Sequence, residues 1–237
     1  MIVGISPDLP HTADLPLPSE LTLRVFKPVV AAVLRRYWRI SVHGADHVPP
    51  AGPAILAANH IGLLDGPVLL AMTRRLTFAM VKHEMFTGLL GRFLSYVGSI
   101  PVNRRVIDTR AITRSVQVLR AGKVLAVFPE GSRTGGDVAW ARGGAAYLAM
   151  VTGAPIVPVA LLGTREPGQT RDQLPRRGAQ IHVVYGQPFG VPRQGWPRRK
   201  SVVGEWTALL RERLATHIVT AQAETGLALP GPPLRLS

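Results

Sequence analysis

Apolar residues along this chain gather into short continuous runs separated by longer segments with helical spacing. The runs lie near residues 39–43, 54–58, 76–81, 98–102, 123–128, 156–162 and 180–185 and read as strands. Segments near 65–74, 83–96, 108–121, 139–152 and 201–221 place apolar side chains three and four apart, as helices do. Runs such as Ala54-Ile55-Leu56-Ala57-Ala58 and Val124-Leu125-Ala126-Val127-Phe128 lack polar alternation, which suits strands covered on both faces. Strands alternating with helices predict an α/β fold, with a single domain and a largely parallel central sheet flanked by helices.

Residues 1–18 are rich in proline and polar breaks and read as an irregular N-terminal arm rather than a secretory signal. Residues 19–38 follow as an amphipathic helical segment interrupted by Pro28. Arg24, Lys27 and Arg35 fall within about 80° of one another on a helical wheel. The segment therefore suits two settings: a membrane interface with its basic face toward head groups, or packing on the domain core. The longest uncharged stretch, 143–164, is broken by Gly153-Ala154-Pro155 and divides into a helix and a strand, so no membrane span is expected. The principal domain is expected over 39–225, with a flexible tail over 226–237.

Charge narrows the partners. Lys and Arg number 28 against 14 Asp and Glu, a formal net charge of +14, which calls for an anionic partner or surface. Nucleic acid is disfavoured, because no nucleic-acid module signature is present and aromatics are only 6% of residues. An anionic membrane surface and phosphate-bearing substrates fit better. The chain has no cysteine, which excludes disulfides and thiolate-ligated metals, and its seven histidines are scattered, so no metal site is expected.

The chemistry concentrates at strand ends. After the run 54–58 comes Asn59-His60-Ile61-Gly62-Leu63-Leu64-Asp65. An imidazole accepts a proton near neutral pH, and a carboxylate on its other nitrogen fixes the tautomer and stabilises the imidazolium. The same spacing also fits a helix start carrying a surface histidine. No serine or cysteine nucleophile accompanies the pair, which favours direct activation of a substrate hydroxyl. The run 123–128 leads into Pro129-Glu130-Gly131-Ser132-Arg133-Thr134, and 98–102 delivers Asn103, Arg104 and Arg105 to another loop. Ligands of open α/β sheets bind at such strand ends, and arginine suits phosphate.

Four ordered blocks, Asn59-His60 through Asp65, Gly98 through Arg104, Phe128 through Arg133 and Ile156-Val157-Pro158-Val159, make the chain resemble the glycerolipid acyltransferase family, lysophosphatidic acid type. The resemblance implies transfer of a fatty acyl group from an acyl thioester to a lysophosphatidic acid hydroxyl, giving phosphatidic acid in phospholipid biosynthesis. It implies His60 as general base with Asp65 as its partner. By the same carry-over Arg104, Glu130, Gly131 and Arg133 form the acceptor and phosphate site, and Pro158 lies on the acyl-donor side. Acyl-CoA or acyl-acyl carrier protein is the implied co-substrate, with no permanently bound cofactor. Asn103 and Ser132 depart from the residues commoner in the family, an acidic residue and threonine, and leave the acceptor open. Glycerol 3-phosphate, another lysophospholipid, or a non-catalytic membrane-binding role are the alternatives. The expected location is the cytoplasmic face of the cell membrane, peripheral or monotopic.

Several residues keep two readings. Glu130 either binds acceptor hydroxyls or pairs with Arg104 or Arg133. Lys82 either reaches a phosphate or is a solvated strand-end lysine. Met85, Phe86, Leu89, Leu90, Phe93 and Leu94 recur at helical spacing and suit either core or an acyl groove. The basic loops at 165–178 and 187–200, Arg165 included, are either solvated surface or contacts for lipid or coenzyme phosphate.

Overall fold

The computed structural model of the chain describes residues 10–12 and 20–234. In chain order its principal elements are α1 (Glu20–Tyr37), β1 (Arg39–His43), β2 (Ala54–Ala58), α2 (Asp65–Met72), β3 (Thr77–Lys82), α3 (Gly88–Tyr96), β4 (Ile100–Val102), α4 (Thr109–Arg120), β5 (Val124–Val127), α5 (Gly144–Thr152), β6 (Ile156–Leu162), β7 (Gln180–Tyr185) and α6 (Lys200–Thr225). The expected arm over 1–18 lies outside the described residues except for 10–12, where Arg120 donates to the Pro10 carbonyl at 2.7 Å.

The strands form one sheet in the order β1-β7-β6-β2-β5-β3-β4. Five run parallel, while β7 is antiparallel to β6 and carries β1 parallel to itself. The apolar runs explain the centre: every residue of β2, β5 and β6 is buried. α1 and α2 pack on one face against Leu56, Ala126 and Val157, while α4, α5 and α6 cover Ile55, Leu125 and Ile156 on the other. Pro158 is tolerated within a central strand because the β6–β7 ladder stops at Val159 and Tyr185, just before the position that lacks an N–H.

The helix expected over 83–96 begins as a short 3-10 turn at His83–Met85, and α3 proper starts at Gly88. The helix expected from 139 starts at Gly144, because Arg142 donates its main-chain N–H to Pro129 and holds the preceding residues in a loop. α6 continues to Thr225. The tail expected to fray from 226 is instead packed: Leu227 and Leu229 rest on the cluster around Leu214 and Ile218, and Leu234 bridges to Thr170. Its apolar residues join a cluster shared by α6 and the β6–β7 strands. Residues 235–237 lie outside the described part.

α1 runs unbroken through Pro28, which sits on the exposed side, where the carbonyl left without a helical donor can meet water. Its inward stripe is the buried Leu23 and Leu34 with the half-buried Val30 and Ala31, and Lys27 lies in the middle. The expected basic face is therefore corrected. Lys27 points inward and donates to the carbonyls of Thr73 and Arg75 at the C-terminal end of α2, where a cation suits the helix dipole.

Candidate active site

β2 ends in a loop held from several sides. The Asn59 amide forms a two-way bond with the Leu161 main chain in β6, donating at 3.0 Å and accepting at 2.7 Å. His60 follows, with its ring stacked on Phe128 at 4.3 Å and its Nδ1 2.7 Å from Asp65 Oδ2. A carboxylate only accepts, so Nδ1 carries the hydrogen and Nε2 presents its lone pair. The His60 side chain retains 20% exposure, whereas Asp65 has none. A substrate can thus reach the imidazole while its partner stays dry.

Asp65 is the first residue of α2, and its carboxylate is saturated. Oδ2 also accepts the N–H groups of Ile61 at 2.6 Å and Gly62 at 2.9 Å, and Oδ1 accepts the Thr164 hydroxyl. Gly62 is required here, because a Cβ would collide with the Thr164 carbonyl.

Glu130 does not form the ion pair with Arg104 or Arg133 that the sequence offered. It is fully buried, accepts the His60 N–H on Oε1 at 2.8 Å and the Thr134 hydroxyl on Oε2, and meets neither arginine nor solvent. Burial pushes its carboxyl above the ordinary value, against the lowering effect of the bonds from Thr134 and His60. Thr134 in turn donates its N–H to the His60 carbonyl at 2.8 Å. The loop after β5 thus grips both sides of the residue that carries the imidazole.

Arginines converge beside this grip. Gly131 adopts φ +68°, and its carbonyl accepts Arg104 Nη1. A Cβ on Gly131 would lie 2.7 Å from Arg142 Nε, and Arg142 Nη1 donates to the Arg104 carbonyl at 3.1 Å. Burial lowers the proton affinity of Arg104; Glu84 opposes this, and Arg142 and Arg133 add to it. Arg133 itself bonds the Arg171 carbonyl at 2.6 Å and Asp172 at 2.7 Å. Lys82 pairs with Glu84 at 3.2 Å, which places it at the rim of the same cluster. Like charges held this close favour an anion among them, and guanidinium geometry suits phosphate.

Pro158 lies in β6 beside β2. It pairs with Ala57 in the sheet and lines a groove of about 350 Å³ with Gln187, Arg213 and His217 on the α6 side. The α3 residues Leu89, Leu90 and Phe93 are exposed, so they are not core. Arg165 is buried at 1% exposure and bonds main-chain carbonyls, which corrects its reading as a surface charge. Sequence reasoning gave no role to Thr134, Arg142 or Thr164. Arg142 belongs to the loop that delays α5, and Thr164 reaches Asp65 only because β6 lies beside β2.

A partly exposed imidazole oriented by a buried carboxylate thus lies in a loop gripped by Glu130, whose neighbour Gly131 meets Arg104 and Arg142. The chain belongs to the Acyltransferase family, whose model matches residues 39–162, more than half of its length. It is 33% identical over 131 residues to a 1-acyl-sn-glycerol-3-phosphate acyltransferase of Borreliella burgdorferi, covering 53% of this chain and 52% of that protein. It is 27% identical over 152 residues to the enzyme of the same name from Bacillus subtilis, covering 63% and 73%. The chain therefore spans about half the length of the Borreliella relative. The crystal structure of the 1-acyl-sn-glycerophosphate acyltransferase of Thermotoga maritima shares the fold, with TM-score 0.65, 19% identity and coverage of 85% of this chain and 80% of that one.

Proposed function

We propose that the protein transfers a fatty acyl group from an acyl thioester to the free hydroxyl of a lysophosphatidic acid, giving phosphatidic acid. The observation that carries this reading is the adjacency of an arginine cluster to an oriented imidazole. Gly131, encircled by Arg104 and Arg142, directly follows Glu130, which holds His60. In this mechanism Nε2 of His60 takes the hydroxyl proton as the acceptor oxygen attacks the thioester carbonyl, and Asp65 stabilises the imidazolium. The tetrahedral adduct then expels the thiolate, which recovers the proton from His60, leaving an ester and a free thiol. Arg104, Arg142 and Arg133 hold the acceptor phosphate so that its hydroxyl meets the imidazole. No permanently bound cofactor is needed for these steps.

The proposed setting is the surface of an anionic membrane, on its cytoplasmic face, with peripheral or monotopic attachment. Among the described residues no helix is long and apolar enough to cross a bilayer. What supports attachment is the outer arc of α1, where Leu21, Val25, Val29 and Val33 are exposed, opposite the stripe that packs on the domain. Phe26 joins this arc to α3 through an edge-on contact with Phe93 at 5.5 Å, and Leu89 and Tyr96 extend it. A helix apolar on both faces beside Arg24, Arg35 and Arg36 suits a lipid interface.

The test is an assay of purified protein with acyl-CoA and acyl-acyl carrier protein donors against lysophosphatidic acid, glycerol 3-phosphate and neutral monoacylglycerol, with products read by mass spectrometry. Preference for lysophosphatidic acid is expected. Equal activity on the acceptor without phosphate overturns the assignment of the arginine cluster, and preference for glycerol 3-phosphate replaces the acceptor.

A further inference from the structure

Asp65 Oδ2 is crowded by three N–H donors from its own loop, but the other carboxylate oxygen points away from that loop into a fully dry interior. There it meets one hydroxyl, that of Thr164, which is itself completely buried. Thr164 stands two residues beyond the end of β6 and 99 residues from Asp65 in sequence. The next residue, Arg165, turns its guanidinium back under the same loop. Its Nε donates to the Ile61 carbonyl at 2.7 Å, and Nη2 donates to the Thr134 carbonyl at 3.0 Å and to the Gly231 carbonyl, while Nη1 reaches Gln169 at 3.1 Å.

We infer that Thr164 and Arg165 are positioning residues for the base, acting through Asp65 and through the peptide that carries His60. The inference rests on the proposed role of His60 as general base. A carboxylate with donors on one oxygen alone can rotate and shift the imidazole it orients; a hydroxyl on the second oxygen fixes its plane. Arg165 complements this by engaging the Ile61 carbonyl while Asp65 engages the Ile61 N–H, so that both ends of that residue are held. It also ties the 59–62 loop to Thr134, which grips the His60 carbonyl, and to the packed C-terminal segment at Gly231. The positive charge of Arg165 lies within electrostatic reach of Asp65 and provides a counter-charge for the buried carboxylate. Both residues act from the buried side, through Asp65 and main-chain carbonyls, so their effect is expected on rate rather than on acceptor binding.

The experiment compares Thr164→Val, Thr164→Ser and Thr164→Cys with the wild-type protein in the lysophosphatidic acid assay, each variant checked for folding by circular dichroism and thermal unfolding. Thr164→Val keeps the volume and deletes the hydroxyl, and is expected to lower kcat about 10- to 100-fold, the range for small misplacements of a catalytic group, with acceptor KM nearly unchanged. Thr164→Ser restores the donor and is expected to recover most of the loss. In the double variant Asp65→Asn/Thr164→Val the second change should cost almost nothing further, because residues that act as one unit are not additive. If Thr164→Val does not fold, Thr164→Cys, with its weak donor, is expected to fall between serine and the deletion. Near-normal kcat in folded Thr164→Val, an equal loss in Thr164→Ser, or a loss that adds fully to that of Asp65→Asn overturns the inference. His60→Ala serves as the control. If it remains active the base assignment fails, whereas an inactive His60→Ala beside a fully active Thr164→Val defeats the positioning role alone.

Discussion

Glu130 accepts the backbone N–H of His60 at 2.8 Å across 70 residues of sequence, so the acid of one strand-end loop holds the histidine of another. Its buried position makes it a strut. Glu130→Ala leaves the His60 N–H and the Thr134 hydroxyl without their partner and should cost about 1–3 kcal/mol in unfolding free energy for each buried group orphaned. In the acyl-transfer assay kcat should fall more than acceptor KM rises. A change confined to acceptor KM would return Glu130 to the substrate site.

His60→Ala should lower turnover by at least about 10²-fold, the lower end of a general base's contribution, with the protein still folded. Asp65→Asn places an amide N–H where Oδ1 or Oδ2 now accepts, and should also lose rate severely. Steady-state kinetics on folded variants decide the matter, and near-normal transfer by His60→Ala sinks the mechanism.

Replacing Arg104 or Arg142 with alanine should lower kcat/KM for the acceptor by roughly 1.5–3 kcal/mol, which is about 10- to 150-fold, while donor KM changes much less. Arg133 is shared with Asp172, so Arg133→Ala should show a smaller defect of the same kind. Lysine at 104 or 142 should rescue only in part, because a point charge cannot reproduce a two-pronged contact. Saturation curves with acceptor varied and then donor varied are the measurement. A defect in the donor curve alone would move these arginines to the coenzyme phosphates.

Binding to vesicles should rise with anionic lipid and fall with salt, and Phe26→Ser or Leu89→Ser should weaken it without lowering thermal stability. Lys27→Glu should behave differently: it sets a carboxylate against the Thr73 and Arg75 carbonyls and should lower the unfolding temperature. Vesicle co-sedimentation and thermal melts read the two effects separately. Unchanged sedimentation of both serine variants would remove the α1 and α3 arc from the membrane.

His217 donates Nε2–H to the Val184 carbonyl at 2.9 Å, and burial holds its pKa below the ordinary value of 6.5, with Val184 and Glu224 opposing. The folded state therefore binds fewer protons than the unfolded one below about pH 6.5. The stability this histidine contributes is present above that pH and is lost as pH falls through the depressed folded value. Melting curves between pH 8 and 5 should fall more steeply below pH 6.5 for the wild type than for His217→Gln, whose amide keeps the bond to Val184. Superimposable pH dependences would exclude this source of acid sensitivity.

The sequence by itself determined the alternation of strands and helices, because β2, β5 and β6 are buried on both faces and can be written only with unbroken apolar runs. It also marked His60 and Asp65, which are local: five residues apart, they meet across one loop at the start of α2. The antiparallel turn of β7 was not legible, since a strand's direction leaves no mark on its hydrophobic pattern. Nor was the inward turn of Lys27, because a wheel records which side chains share a face and not which face meets the protein. Only the tertiary structure decided that Glu130 holds His60, that Arg142 joins Arg104, and that Thr164 closes on Asp65. These contacts join residues many tens of positions apart, and their partners are set by which strands lie side by side, a register that no single segment encodes.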